Sequence, residues 1–315
     1  DSEDVEAYIW APEELQQATG GRWLTPPPLG QTRGVYTDTR QPREAAVFVA
    51  LRGENFDGHA YLEEAASQGA AAVMADENYA AAQPETAQMA VPVLVVEDTL
   101  RAFGDLAAYY RRRVAPRTVA ITGSVGKTTI KDMTASVLGT VFRVHSSRGN
   151  YNNLIGVPQE ILSMREDTEV LIAECGADRP GEVQRLTEIV QPNAGVISHV
   201  FPCHLERFGT LEGIASEKGK LVAGLVEPDP VAVLNSQAAE REVLLSGCDA
   251  PVRYYGYGSE SLLQARRERL CKDGTFSFLL VAGEEEIRVR LKVLGEHQVE
   301  NALAAATVGY LLGVS

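Results

Sequence analysis

The stretch Gly123-Ser124-Val125-Gly126-Lys127-Thr128-Thr129 constrains this chain more than any other. It follows a short apolar run, Thr118–Thr122, and opens a helical pattern from Lys127 to Gly139. A glycine-bearing loop between a buried strand and a helix is where a phosphate cradle is built, because backbone N–H groups there face the polyphosphate. Glycine lets the main chain approach closely, Lys127 reaches the β- and γ-phosphates, and the Thr128 hydroxyl can ligate Mg2+. The loop has the shorter GxxGK[ST]T form, since Ile121 stands where the longer pattern has glycine. Average residue usage makes a chance match on the order of one in a few thousand. The alternative is an ordinary strand–helix turn with an exposed lysine, and the flanking strand and helix weigh against it.

Strand-like and helix-like segments alternate on both sides of the loop. Before it, Gly34–Asp38, Ala46–Leu51, Ala71–Ala75 and Val91–Val96 read as strands, and His59–Gly69 as an amphipathic helix. Thr99–Val114 carries apolar residues at helical spacing and ends in Arg111-Arg112-Arg113, cations that complement a helix C-terminus, before Pro116 stops it. After the loop, Val170–Ala173, Gly195–Ser198, Val231–Leu234 and Val252–Tyr255 read as buried strands with helical segments between several of them. Phe276–Val281 and Ile287–Val293 read as an antiparallel hairpin joined across residues 282–286, and Gln298–Leu312 as a last helix. The pattern predicts an α/β protein of two domains, residues 1–114 and 115–315. The second is a P-loop mononucleotide-binding α/β domain with a mostly parallel sheet.

A formal net charge of −14 excludes a general nucleic-acid grip, because phosphate contact rewards a basic surface. It leaves room for an anionic small substrate held by a local cradle. No run approaches the roughly 20 apolar residues of a membrane helix, so no membrane insertion is expected. The acidic start, Asp1-Ser2-Glu3-Asp4, lacks the order of a signal peptide. The four cysteines, Cys175, Cys203, Cys248 and Cys271, form no CxxC pair, which points to a reducing, cytoplasmic setting.

Beyond the loop, several segments together resemble the Mur ligase family: Gly149–Pro158, Glu174–Ala177 with Gly181-Glu182, His204–Gly209 followed by Glu217-Lys218-Gly219, and Gly295–His297 leading to Asn301–Ala304. The first third agrees, with Thr37–Arg40 and Phe48–His59 similar to the family's uridine-nucleotide domain. The resemblance runs through nearly the whole chain in the family's order. It is nearest to the member that joins D-alanyl-D-alanine to UDP-N-acetylmuramoyl tripeptide. It therefore implies an N-terminal α/β uridine-nucleotide-binding domain ahead of the ATP-binding one. It also implies an ATP-dependent ligase that activates a carboxylate as an acyl phosphate, with UDP-N-acetylmuramoyl peptide and D-alanyl-D-alanine as partners.

By the same resemblance, Gly123, Ser124, Val125, Gly126, Lys127, Thr128 and Thr129 hold ATP, and Asn301 contacts the adenine with His297 nearby. Thr128, Glu174, His204 and Lys218 would hold Mg2+, Lys218 as a carbamylated lysine formed with CO2. Lys127, Lys218 and His204 are the catalytic candidates. Asn152 and Asn153 are expected to hold substrate and phosphate, and Thr37, Asp38 and Arg40 to meet the uridine nucleotide. Asp57 and His59 would either join them or only shape their loop. The sequence departs from the family pattern at Cys203, where relatives carry Asp or Ala, and at Gln298, where they carry Asn. The family's third domain would follow residue 315. The 315 residues alone are expected to bind the UDP-linked substrate without forming the amide bond at a useful rate. Two alternatives stand beside this reading: another amino-acid ligase of the superfamily, and a non-catalytic UDP-muramoyl-peptide binding module. The latter would be expected to have lost Lys127, Glu174 or Lys218, and all three are present.

Overall fold

A computed structural model describes residues 8–53, 56–203 and 205–314. The chain divides into two compact units, Asp1–Ala115 with Leu154–Glu166, and Pro116–Asn153 with Asp167–Ser315.

In chain order the first unit carries β1 (Ile9–Trp10), α1 (Pro12–Thr19), β2 (Arg22–Trp23), β3 (Thr32–Arg33), β4 (Val35–Tyr36), β5 (Val47–Val49), α2 (Leu62–Ser67), β6 (Ala72–Asp76), α3 (Glu77–Ala82), β7 (Val93–Val96) and α4 (Thr99–Val114). Five strands form a sheet in the order β2-β7-β6-β5-β4, parallel except for β2. Its central strands β5, β6 and β7 are buried along their whole length, which is why they read as short unbroken apolar runs. The expected helix from His59 is shorter than its pattern. A 3-10 turn over Gly58–Tyr61 comes first, because the Asp57 carboxylate accepts the His59 N–H and caps a tight turn. Helix α4 starts where the Asp98 carboxylate accepts the Arg101 N–H at 2.7 Å. It buries Ala102, Phe103, Leu106, Ala107 and Tyr110 and ends at Ala115 in the left-handed region.

The second unit begins with β8 (Arg117–Thr122), α5 (Lys127–Leu138) and β9 (Val144–Ser146). The chain then returns to the first unit for α6 (Gly156–Leu162), where the Tyr110 hydroxyl of α4 donates to Met164 O at 2.6 Å. The rest of the second unit is β10 (Val170–Glu174), α7 (Glu182–Val190), β11 (Ala194–Ile197), α8 (Leu205–Phe208), α9 (Leu211–Ala223), β12 (Val231–Asn235), α10 (Arg241–Leu244), β13 (Val252–Tyr255), β14 (Ser261–Leu270), β15 (Thr275–Ala282), β16 (Glu285–Leu294) and α11 (Gln298–Leu311).

Its sheet runs β16-β15-β14-β13-β12-β11-β8-β10-β9. All neighbours from β9 to β14 are parallel, and only β14-β15-β16 are antiparallel. The expected hairpin is thus the end of a three-stranded meander. Strands β15 and β16 also extend to Ala282 and from Glu285, closing on a turn at Gly283 rather than on a five-residue loop. The core lies between this sheet and helices α5 and α11, with Val119, Ile121, Ile172 and Val196 packed with Ile130, Leu138, Leu303 and Val308. Burying each such side chain stabilises the fold by about 1.5–3 kcal/mol.

Candidate functional site

Strand β8 lies between β10 and β11, and the phosphate loop leaves its C-terminal end. That edge is where parallel α/β sheets place ligands. Two glycines are required by what they approach. A Cβ on Gly123, at φ +140°, would meet Ser198 Oγ, and one on Gly126, at φ +89°, would lie 2.7 Å from Asn301 Oδ1. The loop is pinned to the segment after β11: Ser124 N donates to His199 O at 2.8 Å, Ser124 Oγ to Phe201 O at 2.9 Å, and Ser198 Oγ to Val125 O at 2.7 Å. Lys127 Nζ donates to the carbonyls of Gly123 and Ser124 at 3.0 and 3.3 Å. Thr129 follows in the first turn of α5.

Behind the loop, Glu174 ends β10 with 2% of its surface exposed. Its two oxygens are taken separately: Thr128 Oγ1 donates to Oε2 at 2.8 Å, and Asn152 Nδ2 donates to Oε1 at 2.9 Å. The loop carrying Asn152 is in turn held by Gly176 N, which donates to Asn152 O at 2.8 Å. Asn153, next along, is exposed. A buried carboxylate beside a threonine hydroxyl is a set of hard oxygen donors, and these residues fit Mg2+. Among the described residues no group of three or more His, Cys, Asp or Glu side chains gathers elsewhere into a metal cage. One carboxylate suffices where substrate phosphates complete the shell.

Lys218 lies within α9 and is 3% exposed. Burial, and after it the charge of Lys127, hold its ammonium below the ordinary lysine range. Its neighbours separate it from the other lysine of the motif. Lys220 pairs with Glu217 at 2.6 Å, while Glu217 accepts from Gly181 N and Val183 N and so fastens α9 to the start of α7. Glu217 thus serves Lys220 and the α7 terminus. His204 lies outside the described residues.

On the far side of the loop, Asn301 is 4% exposed in α11, and its amide donates to Gln298 Oε1 at 2.9 Å. His297 stands exposed at the helix N-cap. Sequence reasoning missed a neighbouring pair here: His199 Nε2 lies 2.5 Å from Glu300 Oε2, with Asn235 Nδ2 3.3 Å from the same ring nitrogen. His199 lies two residues past β11 and Glu300 sits in the first turn of α11, and neither position carries a pattern that would announce the contact.

Thr37, Asp38 and Arg40 belong to the first unit and follow β4. Asp38 accepts from Arg40 N, Nε and NH2 at 2.9, 2.9 and 2.7 Å, which aims an exposed guanidinium outward. His59 is 1% exposed, so it shapes its loop rather than presenting a surface.

Comparison with known proteins bears directly on this arrangement. Residues 121–309 match the Mur ligase middle domain, and residues 31–111 match the Mur ligase family catalytic domain. The UDP-N-acetylmuramoyl-tripeptide--D-alanyl-D-alanine ligase of Haemophilus influenzae is 38% identical over 289 residues, covering 90% of this chain and 61% of the relative. The enzyme of the same name from Bacillus subtilis is 35% identical, covering 93% of this chain and 62% of the relative. The chain therefore spans about three fifths of the length of these relatives. A crystal structure of MurF from Acinetobacter baumannii superposes with a TM-score of 0.90 at 32% identity, covering 99% of this chain and 67% of that one. MurF ligase from Thermotoga maritima in complex with ADP gives a TM-score of 0.80 at 27% identity, covering 90% and 64%. A folylpolyglutamate synthase from Mycobacterium tuberculosis, with a TM-score of 0.54 at 20% identity, shares the fold alone.

Proposed function

Because the chain belongs to the Mur ligase family, we propose that it carries the ATP and UDP-substrate sites of the ligase that joins D-alanyl-D-alanine to UDP-N-acetylmuramoyl tripeptide. The observation that carries this reading is Glu174, buried behind the phosphate loop and held at 2.8 Å by the loop's own Thr128 hydroxyl. The full-length relatives at 35–38% identity support the choice of substrates.

In this reading the substrate carboxylate oxygen attacks the γ-phosphorus of ATP and ADP leaves. The D-alanyl-D-alanine amine then attacks the acyl carbon, phosphate leaves, and the amine gives up a proton. The loop N–H groups and Lys127 hold the phosphates against that attack, where oriented positive charge acts without reorganising. Mg2+, when bound, neutralises charge between the two anions; Thr128 and Glu174 would hold it, with His204 by resemblance. Asn152 keeps the Glu174 carboxylate oriented, and Asn153, exposed beside it, would hold substrate. Asn301, set against Gly126, would flank the nucleotide base.

Lys218 is the residue we assign to carbamylation. Its lowered pKa favours the neutral amine, the form that attacks CO2, giving R–NH–COO− and one released proton. A carbamate there is an anionic oxygen ligand, whereas an ammonium would repel Mg2+. In the first unit, Thr37, Asp38 and Arg40 would meet the UDP moiety. We take the compartment to be the cytoplasm. All four cysteines are free, as in reducing surroundings, and no helix among the described residues is long and apolar enough to cross a membrane.

The test is product analysis. The full-length gene product should convert ATP, UDP-N-acetylmuramoyl tripeptide and D-alanyl-D-alanine into the pentapeptide precursor, with one ADP and one phosphate per bond. ADP release that ignores the tripeptide would sink the assignment.

A further inference from the structure

Lys131 is among the largest fully buried side chains of the protein, with 2% of its surface exposed. It lies on α5 three residues after Thr128 and four after Lys127, so one helix face carries all three. Its ammonium is spent on main-chain groups. Nζ donates to Ser147 O at 2.6 Å and to Gly149 O at 3.2 Å, and lies 3.3 Å from Asp132 Oδ1. Those two carbonyls belong to the irregular segment between β9 and α6, the segment that also delivers Asn152. Ser147 touches Glu174 from the other side as well, its Oγ accepting Glu174 N at 3.4 Å. The segment thus meets Glu174 at two places, through Ser147 and through Asn152, and Lys131 grips it between them.

Burying an ammonium is costly unless its protons are used. A lysine in this position is therefore a clamp with three donors, and a hydrocarbon of the same length would leave Ser147 O without this bond. We propose that Lys131 is a positioning residue for the metal site: by fixing residues 147–149 to the phosphate-loop helix, it sets the Asn152 amide against Glu174 and keeps the carboxylate beside Thr128. The proposal rests on the reading of Thr128 and Glu174 as holders of a divalent cation. It adds a residue that touches neither nucleotide nor metal. Outer partners of this kind typically change metal affinity about 10–100-fold when removed.

The test measures metal-free ADP affinity and Mn2+ affinity of the ADP complex, by calorimetry and by electron paramagnetic resonance. In Lys131→Met, metal-free ADP affinity should stay within about twofold, because the loop N–H groups and Lys127 are untouched, while Mn2+ affinity falls at least about tenfold. Lys131→Gln keeps one donor and should fall between. Asn152→Ala should weaken Mn2+ similarly, and the double variant Lys131→Met with Asn152→Ala should lose no more than the larger single loss, since both act through one amide. Additive losses, equal loss of metal-free ADP binding, or unchanged Mn2+ affinity would each overturn the proposal. Failure of both Lys131 variants to fold would do the same, by making the lysine a residue of stability alone. If the wild-type protein itself binds no ADP with Mn2+, the functional reading falls first, and that outcome is distinct from a wild type that binds and a variant that matches it.

Discussion

Each unit gathers charged side chains at one end of its parallel strands, and the two gatherings are built on opposite plans. In the first unit Asp76 N lies 3.1 Å from His59 Nε2, and the other ring nitrogen lies 2.6 Å from Asp57 Oδ1. Arg52 bridges the same two carboxylates, 3.1 Å from Asp57 and 3.0 Å from Asp76. Donors and acceptors answer one another inside the network. In the second unit the buried carboxylate Glu174 meets neutral donors, Thr128 and Asn152, while burial, and after it the charge of Lys127, hold Lys218 below the ordinary lysine range. A network closed on itself spends its charges on the fold. One that leaves a carboxylate on neutral donors, with Lys127 and Lys218 unspent on it, suits the charged ligand proposed above. Removing a member should therefore cost stability in the first unit and ligand affinity in the second.

The sharpest way to break that contrast is Lys127→Ala. A phosphate-loop lysine is a point charge on phosphate and carries little packing here, since its bonds go to two loop carbonyls. Nucleotide affinity should fall by about two orders of magnitude or more, a loss near 3 kcal/mol, with the melting temperature unchanged. A fall in melting temperature of the same rank would mean that the second unit's charges also serve the fold.

His59→Ala is the counterpart. It removes a buried ring that satisfies two partners, and losses of that kind run to about 2–4 kcal/mol. Chemical denaturation should show the first unit weakened by that amount, and ATP titration should show no change. Weakened ATP binding in a variant that remains folded would erase the distinction between the units.

The two regions also differ in how much of them the sequence disclosed. The phosphate loop was legible because its chemistry fixes residue types at fixed spacing, and the apolar strands β8, β10, β11 and β12 because a strand buried on both faces is an unbroken apolar run. Strand β14 was not legible. Its Gln264-Ala265-Arg266-Arg267-Glu268-Arg269 core has helix-like composition, and its pairing with β15 is broken between Arg266 and Arg269, with Arg267 in the left-handed region. Helix α6 was passed over because seven residues around Pro158 give too short a period to read. The single expected boundary near residue 115 missed that Leu154–Glu166 belongs with the first unit, because that segment packs on α4 from far along the chain. Lys131 belongs to no motif that would single it out in the sequence. The available signal was its place beside Ile130, Thr134 and Leu138, the buried stripe of α5. For His59 the sequence leaves two roles open, meeting the uridine nucleotide or only shaping its loop, and the tertiary closeness of Asp76 shows it as a latch.

Acid should separate the units more gently. Burial works to raise the Asp57 pKa, but the hydrogen bonds from the His59 N–H and ring, and the charges of His59 and Arg52, outweigh it and hold the carboxyl below its ordinary range. A carboxylate whose folded pKa is depressed contributes stability above its unfolded pKa and loses it as pH falls through the folded one. The first unit should therefore weaken as pH drops below the ordinary aspartate range, and Asp57→Asn should flatten that limb of its pH–stability curve. An unchanged limb in the variant would place the acid response elsewhere.

The smallest effect on the fold should come from Asp38→Ala, and it is the most useful for locating the proposed UDP site. Asp38 and Arg40 form an exposed, bidentate pair, and pairs so open to solvent contribute little to stability. The melting temperature should not move. What the carboxylate supplies is orientation: it holds Nε and NH2 of Arg40 in one plane and leaves the opposite edge of the guanidinium free to meet an anion. Without Asp38 the guanidinium keeps its charge and loses its preset direction, so the ordering has to occur on binding. Fixing one such side chain costs about 0.5–1.5 kcal/mol, which corresponds to roughly 2–12-fold in affinity. Calorimetric titration with UDP should therefore show a few-fold weakening in Asp38→Ala and a larger one in Arg40→Ala, both with the ATP affinity of the second unit intact. Equal UDP affinity across wild type and both variants would remove Asp38 and Arg40 from the substrate site and leave the pair as a solvated turn.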